Sequence, residues 1–177
     1  MNEPKGIIIF GANGSGKTTL GREMSRILDF KRMDAEDYYF REAEIPYSDS
    51  RSKNEVIDMM LADIEKHRSF VISTCIGDLG DVIPQYYKLA VYIKAPYELR
   101  MKRVKQRLDR FGERVLEGGD MYEQTQKHID FMANRPLSKI DQWAETLCCP
   151  IIHIDGTLDW RVSAQVIAEK WRELYVN

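Results

Sequence analysis

The stretch Gly11-Ala12-Asn13-Gly14-Ser15-Gly16-Lys17-Thr18 constrains this chain more than any other. It fits G-x-x-x-x-G-K-[ST] at every position, directly after an apolar run at residues 6–10 and directly before Leu20, Met24, Ile27 and Leu28 at helical spacing. Strand, glycine-rich turn and helix start, in that order, give the pattern a physical meaning. Glycines let the backbone bend so that successive N–H groups point inward at phosphate oxygens, and the helix adds its positive N-terminal end. Gly11, Asn13, Gly14, Ser15, Gly16, Lys17, Thr18 and Thr19 are therefore the candidates for holding a nucleotide's phosphates. Lys17 can reach the β and γ phosphates, and the Thr18 hydroxyl can ligate Mg²⁺.

Such a loop needs a sheet behind it. Short apolar runs at residues 6–10, 70–73, 89–93 and 150–155, with a weaker one at 31–33, alternate with segments of helical period. Residues 17–28 read as one helix. Residues 52–67 read as another, opening on Ser52 and Glu55 at capping-box spacing. Pro96 introduces a helix from 97 to about 110, Asp120 with Glu123 marks a further start after Gly118-Gly119, and 160–175 is periodic throughout. This alternation predicts an α/β fold with a parallel sheet covered by helices. At 177 residues it predicts one domain.

Composition removes several classes of function. No stretch approaches the roughly 18 apolar residues of a membrane span, and the N-terminus lacks the apolar region and cleavage site of a signal peptide, so the protein is expected in the cytoplasm. A net charge of −2 gives no overall pull toward nucleic acid. The three cysteines, two of them adjacent at Cys148 and Cys149, make neither a disulfide framework nor a zinc site, and are expected as reduced, buried thiols. His67, His128 and His153 have no ligand or triad spacing, which leaves metal and serine hydrolases unsupported.

In "APYELRMKRVKQRLDRFGERV", Arg103, Arg107, Arg110 and Arg114 are spaced by 4, 3 and 4, which on an α-helix puts four guanidiniums on one face. Beside a phosphate loop, such a face suits the charge that phosphoryl transfer moves onto the transferred oxygens.

With the loop on the first strand, this length, and the arginine-rich segment after the fourth strand, the chain resembles the small P-loop kinases of the nucleoside-monophosphate and shikimate kinase type. The resemblance implies a three-layer fold with a five-stranded parallel sheet. It also implies an acceptor-holding segment at roughly 34–67 and a short helical lid at roughly 103–135. In that family an R-x-x-x-R at the lid start contacts the nucleotide base and phosphates, which falls on Arg103 and Arg107. A D-x-D after the second strand holds a Mg²⁺ water and the acceptor hydroxyl; here Asp34 and Glu36 take that spacing, with Asp37 next, so Asp34 or Asp37 is expected to orient the acceptor. "HIDGTLDW" resembles the family's adenine-side loop, where backbone atoms of Gly156, Thr157 and Leu158 would read the base. Arg110 and Arg135 are left open as further contacts.

For the acceptor, Tyr38 and its neighbouring rings suit a planar group, and Arg41 or Arg51 an anionic one. Thr74 and Gly77 follow the third strand, where ligands bind in open α/β sheets. The segment lacks the D-G-F/Y-P-R type of adenylate kinase, and "CIGD" replaces the GGG of shikimate kinase. The expected activity is transfer of the γ-phosphoryl of Mg-ATP to a small-molecule acceptor: a nucleotide, nucleoside or hydroxylated metabolite. The alternatives are an ATP-binding regulatory or interaction module and a slow NTPase. The expected partner is the small acceptor, with no membrane and no nucleic acid, in a monomer or homodimer.

Overall fold

The computed structural model describes residues 3–175. The apolar run ahead of the glycine-rich loop becomes strand β1 (Lys5–Phe10), with five of its six residues buried. Strands β2 (Lys31–Asp34), β3 (Ser69–Thr74), β4 (Tyr87–Lys94) and β5 (Ile151–Asp155) complete a five-stranded sheet in the order β2-β3-β1-β4-β5. Every pairing is parallel. Near-continuous apolar strands are what a parallel sheet covered on both faces requires.

The helices are α1 (Lys17–Leu28), α2 (Ala35–Tyr39), α3 (Lys53–His67), α4 (Tyr97–Leu108), α5 (Tyr122–Asn134), α6 (Ser138–Ala144) and α7 (Trp160–Tyr175). Alternation along the strands sorts them into layers. Ile7, Ile9, Val71 and Val91 pack with Leu20 and Met24 of α1 and with Ala164, Ile167 and Trp171 of α7. Ile8, Phe10 and Ile72 face the other way, onto Val56, Met60 and Ile64 of α3 and Ile140 and Ala144 of α6. The α3 start is the expected capping box: Ser52 accepts from the Glu55 N–H, and Glu55 reaches back to the Ser52 N–H.

The order of the strands brings the site together. Asp34 pairs in register with Ser73, and Ser73 with Ile9, so the ends of β2 and β3 lie beside the end of β1, where the phosphate loop begins. Ligands of open α/β sheets bind outside these carboxyl ends. No helix among the described residues is long and apolar enough to cross a membrane.

Three local expectations are corrected. The arginine face does not continue, because α4 ends at Leu108 and 3₁₀ turns follow to Val115, broken at Gly112 (φ 57°, ψ −132°). Arg114 is thereby carried off the face and reaches Glu44 O and Asp120, whereas Arg110 still lines a small cavity with Arg107, Asn13 and Gly14. Asp120 caps no helix; its carboxylate takes Arg114 at 2.7 Å, and α5 starts at Tyr122. The cysteines are not fully buried: Cys148 is exposed, and Cys75 and Cys149 are partly exposed. Short helices α2 and α6 lie where no helix was anticipated, since five and seven residues hold too few turns to show a period.

Candidate active site

Gly14 and Gly16 have φ of 77° and 109°, in the region that favours glycine. A Cβ on Gly14 would run into the backbone carbonyl of Arg100, so α4 sits directly against the loop. At Gly16 a Cβ would meet only Arg103 Nη1, at 3.9 Å, so this stretch of backbone opens into a cleft that a side chain would fill. The carbonyls of the loop take up cationic donors. Lys17 Nζ donates to Ala12 O (2.9 Å) and Arg100 Nη1 to Asn13 O (3.3 Å), while Arg103 Nη1 is shared by Gly14 O (3.4 Å) and Ser15 O (3.3 Å). Arg103 Nη2 continues to Gly156 O at 2.9 Å. Backbone held by its carbonyls keeps its conformation while the first-turn N–H groups of α1, which have no intrahelical partners, stay available to an anion. Ser15 Oγ is buried with no hydrogen-bond partner among the described residues.

Two cavities meet at this loop. One, of about 300 Å³, runs from Gly14, Gly16 and Thr19 past Arg103 and Arg107 to Gly156, Leu158 and Trp160. The other, of about 390 Å³, is lined by Lys17, Thr18, Asp34, Glu36, Thr74 and Arg107, with Tyr39, Phe40, His128, Phe131 and Arg135 around it. Gly14, Gly16 and Arg107 belong to both. Arg107 has no hydrogen bond among the described residues, so its donors are uncommitted where the cavities join.

Asp34 is 5% exposed; its carboxylate accepts from the Glu36 N–H at 3.2 Å and lies 3.7 Å from Arg32. His128 is held below the ordinary imidazole range by burial, with Glu36 pulling its pKa up and Arg107 pushing it down. Its ring stacks on Tyr47 at 5.6 Å. Tyr47, at φ 68°, joins two segments: its ring meets Phe40 at 5.1 Å and its hydroxyl accepts from Arg110 at 3.5 Å. Arg114 Nη2 adds a 3.1 Å bond to Glu44 O. The stretch between α2 and α3 is thus tied to the turns after α4.

A family model for the AAA domain (AAA_18) matches residues 7–130, more than half of the chain. The chain belongs to this AAA domain family. It is 28% identical over 160 residues to "Uncharacterized protein YqaC" of Bacillus subtilis (strain 168), covering 85% of this chain and 88% of that one. Its fold matches shikimate kinase from Acinetobacter baumannii in complex with shikimate (TM-score 0.52, 17% identity, 99% of this chain and 97% of that one). Deoxyadenosine kinase from M. mycoides with products dCMP and dCDP matches likewise (TM-score 0.52, 17% identity, 95% and 99%). The fold of this AAA-domain chain is therefore that of the small P-loop kinases.

Of the anticipated residues in this AAA-domain chain, Gly14, Ser15, Gly16, Thr19, Arg103, Arg107, Gly156 and Leu158 line the first cavity, and Asn13, Lys17, Thr18, Asp34 and Thr74 the second. Gly11 packs on Ile93, and Thr157 turns its N–H and hydroxyl onto Asp155. Five residues named for the acceptor lie elsewhere. Asp37 is paired with Arg32 at 3.0 Å, and Tyr38 is buried with its hydroxyl on Asp63. Arg41 is taken by Asp49 and Glu55, and Arg51 by the carbonyls of Tyr38 and Phe40. A Cβ on Gly77 would sit 2.7 Å from Trp143. Arg135 does line the second cavity, over the Phe131 ring. Tyr39 is one of the rings anticipated beside Tyr38, and Trp160 closes the HIDGTLDW stretch; His128 and Phe131 carried no sequence signal of a site, because a ring facing a cleft and one facing the core share the same helical period.

Proposed function

We propose that this protein transfers the γ-phosphoryl group of Mg-ATP to a small-molecule acceptor, with the donor in the Gly14–Trp160 cavity and the acceptor in the Asp34–Arg135 cavity. The observation that carries this reading is the junction: two cavities meet over the phosphate loop, and the uncommitted Arg107 lies in both walls. An ATP-binding module without an acceptor needs only the first.

The residues present suit the groups this reading requires. The glycine backbone open at Gly16 and the unpartnered Ser15 hydroxyl fit a phosphate chain. Thr18 and Asp34 line one cavity, and no cluster of three His, Cys, Asp or Glu occurs among the described residues. A cation held by these two would take its other ligands from phosphate oxygens and water, the pattern Mg²⁺ favours. When bound there, Mg²⁺ would neutralise phosphate charge.

Lys17 holds the donor phosphates, and Arg107 meets the negative charge that spreads over the transferred oxygens. Arg103 acts through the loop as a positioning residue. An acceptor hydroxyl attacks the γ-phosphorus, the bond to the β–γ bridging oxygen breaks, and the hydroxyl proton passes to Asp34 or Glu36. Arg135 suits an anionic part of the acceptor, and Tyr39, Phe40 and Phe131 an apolar or planar one. The segments tied through Tyr47 would act as acceptor loop and lid, excluding water.

The test is ADP release from ATP against a panel of nucleoside monophosphates, nucleosides, sugars and hydroxy acids. Acceptor-dependent turnover is expected, falling by about 10²-fold or more in Lys17→Ala and in Arg107→Ala with folding intact. ATP binding without acceptor-dependent turnover across the panel would favour the binding-module reading.

A further inference from the structure

A third cavity, of about 600 Å³ and so twice the volume of the donor cavity, lies between the ends of β4 and β5, the start of α4, and α6. The phosphoryl-transfer reading makes no use of it. Its walls are mostly apolar, from Tyr92, Ile93, Pro96, Leu137 and Ile154, and Arg100 is its most buried charged residue, 4% exposed.

The charges around it are unevenly satisfied. Lys94 at the rim pairs with Asp141 at 3.2 Å, and Tyr92 donates to the same carboxylate at 2.9 Å. The Asp155 carboxylate accepts from the Thr157 N–H and hydroxyl at 2.8 and 2.7 Å. Among the described residues Arg100 has no carboxylate partner. Its hydrogen bonds go to two backbone carbonyls, Ala95 O at 3.2 Å and Asn13 O at 3.3 Å, and its guanidinium lies 5.6 Å from the Tyr97 ring centroid. A buried guanidinium has five N–H donors and a full positive charge, and carbonyls alone leave that charge uncompensated. An apolar cavity lined by one such cation has the chemistry of a site for an anion with an apolar body.

We propose that this cavity is a second ligand site, for a small organic anion whose carboxylate pairs with Arg100 while a flat apolar body lies among Tyr92, Pro96, Leu137 and Ile154. Its walls share Ile93, Ile154 and Asp155 with the donor cavity, and Arg100 also holds the phosphate loop through Asn13. An occupant would therefore bind alongside the donor nucleotide, against Ala12 of the loop itself.

The probe is 2-naphthoate, titrated into the full chain with saturating Mg-ATP present and followed by amide chemical shifts. Saturable shifts centred on residues 92–96, 137–141 and 153–155 are expected. Affinity should drop at least tenfold for the uncharged 2-naphthalenemethanol. It should drop comparably in Leu137→Glu, which places a repelling carboxylate at a partly exposed rim position, and in Arg100→Gln. Because Arg100 also supports the phosphate loop, Leu137→Glu keeps the test open if Arg100→Gln does not fold. Shifts centred on residues 156–160, loss of binding when ATP is added, equal affinity for the alcohol, or no saturation would each overturn the proposal.

Discussion

Arg103 gives both Nη nitrogens to the carbonyls of Gly14, Ser15 and Gly156, whereas Arg107, one turn further along α4, bonds to none of the described residues. The difference assigns them separate kinetic signatures. Arg103→Ala should loosen the loop and raise the KM for ATP by about tenfold, with a smaller fall in kcat. Steady-state rates with ATP varied would show it; equal falls in kcat and kcat/KM would instead put Arg103 on the transferring group. His128 has a second, thermodynamic signature. Burial holds its folded pKa below the ordinary value, with Glu36 opposing and Arg107 reinforcing, so the unfolded chain binds the proton more readily. Stability is therefore fully present above the unfolded pKa of about 6.5 and is lost as pH falls from there through the folded value. Urea midpoints between about pH 7 and about pH 5 should fall further for the wild type than for His128→Gln. Parallel curves would remove His128 as a source of acid sensitivity.

Among the described residues, Tyr47 makes most of the hydrogen bonds and ring contacts that tie the stretch between α2 and α3 to the turns after α4 and to α5. A bulky residue at φ 68° costs about 1–3 kcal/mol of backbone strain, which its contacts with Phe40, His128, Arg110 and Gln124 must offset. Tyr47→Ala removes the ring and hydroxyl contacts but keeps most of the strain. Limited proteolysis should then cut residues 41–51 and 109–121 faster, while the melting temperature changes little because neither stretch belongs to the sheet core. An unchanged cleavage rate would show that these stretches hold together without it. Gly112 ends the regular arginine spacing at this same scale: at φ 57° and ψ −132° it turns the chain after α4, sending Arg114 to Asp120 and Glu44.

At the scale of the whole molecule, the phosphate loop follows the central strand of the sheet, so a ligand held there would be linked to global stability. ATP with Mg²⁺ at 100 times its Kd should stabilise the fold by about 2.7 kcal/mol, read as a rise in melting temperature that is lost in Lys17→Ala. No shift with ATP at that excess would refute donor binding at this loop. The parallel sheet, its covering helices and the phosphate loop were legible in the sequence because each depends on neighbouring residues. A strand is a short apolar run, a helix a 3.6-residue period, and the loop eight consecutive residues. Arg103 and Arg107 are identical by spacing, but only packing commits one to loop carbonyls and leaves the other at the junction of two cavities. Asp34 and Asp37 are equally good acids in the chain; the turn into α2 places the first in the cavity and pairs the second with Arg32. His128, Phe131 and Arg135 come from α5 and its C-terminal end, far beyond Asp34 in the chain, and share its cavity only because α5 folds back onto α4, where Met132 packs with Met101 and Val104. The sequence by itself determined the fold and the phosphate loop, through local period and spacing. The tertiary structure decided which side chains face the second cavity, because that depends on where helices end and on contacts between residues far apart in the chain.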